Sequence, residues 1–120
     1  MLLSFLFAIA EVPPPPTPQM PAGWVIKQDL AVMDAATLKS LKLGAPVVAL
    51  RNTIYDVKGK KVQLNTIIPA NEDDAKKIEK KLIEMKPAWF VLRKGTMVYE
   101  FVAKDDAADE VKQGRAHLEH

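Results

Sequence analysis

Lys61 to Ile68 alternates apolar and polar residues with the period of a strand. Val62, Leu64, Thr66 and Ile68 share one face, and Lys61, Gln63 and Asn65 share the other. Pro46 to Val57, just before it, is rich in Val, Ile, Thr and Tyr. Lys58-Gly59-Lys60 between them supplies a turn, with a glycine able to take positive φ. Together these segments predict a β-hairpin with one dry face and one wet face. The period changes after Pro69. Ala75, Ile78, Leu82 and Met85 recur every three or four residues, the spacing of one helix stripe. Asn71 can cap that helix, Glu72, Asp73 and Asp74 favour its positive end, and Pro87 stops it. Trp89 to Leu92 and Met97 to Val102 then predict a second hairpin around Arg93–Thr96, with Met97, Tyr99 and Phe101 on one face.

Three further elements complete the pattern. Gly23 to Leu30 predicts a first strand. Asp34 caps a short helix that Gly44 ends, with Lys42 in its last turn. Asp105 to Ala116 predicts a final, weakly amphipathic and partly frayed helix. The order β-α-β-β-α-β-β-α predicts an α+β fold: a mainly antiparallel sheet with two or three helices. Its first six elements match a ferredoxin-like or related split β-α-β arrangement, and helices on one face are the simplest packing.

The segment ahead of the first strand has a different character. Residues 1–10 form an apolar, signal-like run, Leu2 to Ala10, ending in Ala8-Ile9-Ala10. An apolar core followed by small residues is the pattern of a secretory signal, and it predicts cleavage before Glu11. The usual basic start is missing, since the first cation is Lys27. The run falls well short of the roughly 20 apolar residues that span a bilayer; packing on the domain as an apolar strand or helix is the competing reading. Residues 11–22 form a proline-rich linker, whose consecutive prolines favour an extended spacer at about 3.1 Å per residue. Residues 23–117 form the single domain. Leu118-Glu119-His120 resembles the start of a cloned histidine tag, which places the native end near His117.

Composition narrows the chemistry. No cysteine is present, which removes disulfides, thiol catalysis and thiolate metal sites. Ser4 and Ser40 are the only serines, and the only histidines are His117 and His120 at the tail, so a serine–histidine pairing has no support. Glu72/Asp73/Asp74 and Asp105/Asp106/Asp109/Glu110 lack the alternating oxygen ligands and central glycine of a hard-cation loop. No glycine-rich phosphate cradle exists among 5 glycines. No catalytic residue, metal or cofactor is therefore assigned, and the expected class is non-enzymatic.

Asn71 to Val102 runs helix, strand, turn, strand and exits through Val98-Tyr99-Glu100-Phe101-Val102. Over about a quarter of the chain this resembles one half of a PepSY-type domain, a small exported module linked to protease regulation. The acidic helical segment after Val102 stands where that family continues with another strand, so no residue is carried over. Lys94-Gly95 followed by Tyr99 and Phe101 resembles an RNA-recognition-motif strand, but the acidic helix that follows would repel phosphate.

Two surfaces remain as candidate binding sites. Lys58, Lys60 and Lys61 at the hairpin tip and Lys76, Lys77, Lys80 and Lys81 on the helix could meet an anionic ligand or membrane surface if they converge. Trp24, which follows the linker and Gly23, could anchor a partner, whereas Tyr55, Trp89 and Tyr99 are expected in the core. A net charge of +2 is too small to argue for nucleic acid. The sequence predicts an exported, periplasmic or envelope-associated accessory module that acts on another envelope protein. Binding of an anionic ligand, nucleic acid or membrane surface through the lysines is the alternative. An open sheet also offers an edge for homodimerisation.

Overall fold

The computed structural model describes residues 14–120; the expected export signal, Leu2 to Ala10, lies outside the described residues. Five strands form one antiparallel sheet in the order β1-β2-β3-β5-β4: β1 is Trp24–Val32, β2 Val47–Val57, β3 Lys60–Pro69, β4 Val91–Lys94 and β5 Met97–Ala103. Three α-helices accompany it: α1 (Ala35–Ser40), α2 (Glu72–Met85) and α3 (Ala108–Glu119). The α+β class and the element order are those expected from the sequence.

Connectivity differs from the ferredoxin-like pattern. The first two strands are antiparallel neighbours, so α1 is a short connection at one end of the sheet. A split unit does form further along. β5 lies antiparallel between β3 and β4, which makes β3 and β4 parallel, joined through α2.

The helices also do not share one face. Strand alternation assigns the core residues to opposite sides of the sheet. On face A, Tyr55, Val57, Val62, Leu64 and Phe101 cluster with Ala107 and Val111, so α3 packs there. On face B, Ile67, Val91 and Val98 cluster with Ala75, Ile78 and Leu82, so α2 packs there. The face of β3 expected to be wet is thus dry where Ile67 meets α2. Burying apolar area on both faces lets a small domain assemble two cores from one sheet.

Local rules explain the boundaries. The β2–β3 turn needs only Lys58 and Gly59, both at positive φ (55° and 84°), which matches the twist of a tight hairpin. Asn71 accepts a hydrogen bond from the Asp74 amide at 2.8 Å and opens α2. Asp34 does the same for α1 through Thr37. That helix ends at Ser40 rather than near Gly44, because Lys42 already takes a left-handed conformation. Trp89 and Phe90, expected in β4, instead form a 3₁₀ turn closed by the Phe90 amide on the Pro87 carbonyl. Their rings stack at 3.9 Å.

Candidate interaction surfaces

From Pro14 onward the proline segment does not stand off from the domain: it lies along face A as a strap. Arg51 donates its Nε to the Pro15 carbonyl, and Pro15 is buried. Thr17 donates to Asp29 Oδ2 at 2.7 Å, and the Tyr55 hydroxyl donates to the Pro18 carbonyl at 3.2 Å. Met20 then reaches the core beside Trp24. Proline carbonyls accept hydrogen bonds with no amide of their own to satisfy, which suits a strap held by side chains.

Asp29 is the hub of this contact. Its carboxylate meets Arg51 Nη1 at 2.9 Å and the Thr53 hydroxyl at 3.0 Å, besides Thr17. Burial pushes its pKa up, but the hydrogen bonds from Thr17, Arg51 and Thr53 outweigh this and hold the carboxyl below its ordinary range. Tyr55 responds in the opposite sense. Burial, and then the Asp29 charge, push its hydroxyl up to about 12.

Trp24 belongs to this assembly. It is partly buried, meets Tyr55 edge-on at 5.2 Å and packs against Gly114 of α3. The lysines named from the sequence fall into separate groups. Lys60 donates to the Asp106 carbonyl at 2.7 Å and to Glu110 at 3.3 Å, tying the hairpin to α3. The Glu110 carboxyl is held low by its own backbone amide and by Lys60. Lys58 and Lys61 are exposed nearby, and Lys60, Lys61 and Lys104 line a cleft of about 500 Å³. Lys76 is paired with Glu72 at 3.6 Å, and Lys80 projects from the exposed side of α2. Lys77 and Lys81 lie on the flank of α2 that borders Gly44. The α2 lysines therefore neighbour the α1 end of the sheet, while the hairpin lysines cluster with α3.

Face B carries a polar chain: Asn52 donates to Asn65, Asn65 to Glu100 at 2.9 Å, and Lys86 to Glu100 at 2.7 Å. Beyond it, toward β1, the sheet is open. β1 is an edge strand of nine residues; Val25 and Leu30 on this face are 53% exposed each, and Ile26, on face A by its register with Tyr55, is 48% exposed. A bulge at Lys27 interrupts its register with β2 and leaves Gln28 to Val32 as its regular stretch. Among the described residues no three His, Asp or Glu side chains converge as a metal site, and no helix is long and apolar enough to cross a membrane.

Sequence reasoning missed Thr17, Asp29 and Arg51, whose roles arise only when the strap crosses the sheet. It also passed over Lys39 and Lys42, on and just after α1. No sequence signal marked them, because the left-handed Lys42 and the early end of α1 appear only in the structure. Comparison with family models, with curated proteins and with solved structures gives no match.

Proposed function

We propose that this chain is a small, non-enzymatic accessory module of the cell envelope that acts by protein–protein contact through the edge of β1. One observation carries the reading: β1 is a long edge strand with three large apolar side chains in solvent. Most proteins shorten, charge or cover such an edge. Here Lys27 and its bulge blunt one half, and Gln28 to Val32 stay regular. That stretch suits an extended segment of a second envelope protein with apolar residues at alternate positions, added as a sixth strand. The strap is compatible with export, because every residue that holds it, from Pro15 onward, follows the expected cut before Glu11.

The test places a photo-crosslinking residue at Leu30, or at Lys94 on the opposite edge, in the full chain made in an exporting host. The expected result is a mature chain starting at Glu11 in the envelope fraction. One defined heterologous adduct should form from position 30 only, and Val32→Lys, in the same regular stretch, should abolish it. A self-adduct would make the partner a second copy. Adducts from both edges alike, or a full-length chain in the cytoplasm, would reject the reading.

A further inference from the structure

We infer that the α1–α2 end of the molecule is a docking surface for an anionic lipid bilayer, formed by Lys39, Lys42, Lys77 and Lys81 around exposed Leu41. The four lysines come from segments far apart in sequence, and Gly44 brings them together. A side chain at Gly44 would start 3.6 Å from Lys81 Cβ and 3.9 Å from the Lys77 carbonyl, so the loop after α1 rests directly on that flank of α2. Lys39 and Lys42 lie on the rim of a hollow of about 360 Å³ whose walls include Leu38, Leu43 and Val47. All four lysines are exposed, and none has an ion-pair partner among the described residues. Acidic groups flank this end as well, with Glu84 one turn after Lys81 on α2. Asp34 is occupied by Thr37, and Glu72 by Lys76; Asp73 and Asp74 belong to the first turn of α2.

Two features favour a bilayer over a soluble anion. Apolar groups accompany the charge: Leu41 is 37% exposed and Met33 38% exposed at the same end. Lysines around exposed apolar side chains match the headgroup and upper acyl layers together. The strap adds direction. From Pro18 to Pro15 it runs from Tyr55 to Arg51, away from the hairpin turn and toward the start of β2. The described chain therefore begins at the α1 end of the sheet. In the sequence, the apolar run Leu2 to Ala10 precedes this point. This surface is separate from the β1 edge, and the inference does not depend on that reading.

The experiment is co-sedimentation of the full chain with vesicles of phosphatidylcholine containing 30% phosphatidylglycerol, against vesicles of phosphatidylcholine alone. The chain is expected to partition onto the anionic vesicles and to release as salt rises from 0.05 to 0.5 M, since screening shortens the reach of the field. Each neutralised lysine should weaken partitioning roughly fivefold at low salt. The combination Lys39→Gln, Lys42→Gln, Lys77→Gln and Lys81→Gln should then abolish it. Lys58→Gln with Lys61→Gln, at the other end, should leave it unchanged. All substituted side chains are exposed, and thermal unfolding checks that both variants keep the parent stability. Equal binding to both vesicle types would assign attachment to the apolar run and overturn the inference. So would equal loss in the two variants, or binding to duplex DNA as tight as to the anionic vesicles at the same salt.

Discussion

Gly114 shows how one residue can decide whether a helix docks. A Cβ there would meet Trp24 Cη2 at 2.5 Å and Met20 Cε at 2.8 Å. The indole and the strap therefore rest directly on the backbone of α3. In an exposed helix, Gly→Ala gains about 1 kcal/mol of propensity. At this position overpacking costs about 1–3 kcal/mol and wins, because a rigid ring fills the space. Gly114→Ala is expected to destabilise the protein by about 1 kcal/mol in urea unfolding, with a red shift of Trp24 fluorescence as the ring moves outward. No sequence periodicity marks this glycine. Its need for a bare Cα depends on Trp24, which lies 90 residues away in the chain. Asp29 is equally silent in sequence, where it reads as one polar residue in a strand; its value comes from Arg51, Thr53 and Thr17 arriving from two other segments.

At the level of elements, the β2–β3 hairpin was the most legible part of the chain, because alternation and a glycine turn coincide. The residue missing from that pattern is the one before the glycine. Lys58 holds φ 55°, a conformation that asparagine adopts with less strain. Lys58→Asn should stabilise the hairpin by about 0.5 kcal/mol and raise the melting temperature by a few degrees. Its exposed side chain makes no hydrogen bond or salt bridge among the described residues that would be lost. β4 was less legible. Its apolar pair Trp89-Phe90 reads as strand, yet Pro87 closes a 3₁₀ turn and the aromatic pair becomes a stacked plug over the end of β5. Helix α2 was marked on three counts, by cap, stripe and stop, and its ends fall where these agree.

For the whole molecule, the missing information was which face each helix covers. Alternation in β3 shows two sets of side chains, but Ile67 on the second set looks like an isolated exception until α2 and β5 arrive. The strap is a further surprise at this scale. Proline composition predicts extended backbone and says nothing about what that backbone touches. Burial and the Asp29 charge on face A give the protein a pH signature. Tyr55 rises from 10.0 to about 12 on folding, so the folded state holds its proton more tightly than the unfolded chain. That contribution is complete below pH 10 and is lost as pH climbs toward 12. Asp29 has the reverse sign: its lowered pKa contributes above the ordinary carboxylate range and fades as pH falls through the folded value. Urea unfolding across pH should show stability falling between pH 10 and 12. Tyr55→Phe should flatten that limb while lowering stability at pH 7 by about 1 kcal/mol through the lost bond to Pro18.

The position of β5 between β3 and β4 fixes the order in which the chain can become a protein. A growing or translocating polypeptide delivers β3, then α2, then β4, and those two strands have no ladder to share until the next strand slides between them. Val91 and Leu92 have no pairing partner before Tyr99 and Glu100 emerge. Both cores wait on the same strand, since Phe101 belongs to one and Val98 to the other, and the first also needs Ala107 and Val111. Four-fifths of the chain must be made before either core can close. Until then the β2–β3 hairpin is the one long strand pair that the chain can form without β5 besides β1–β2.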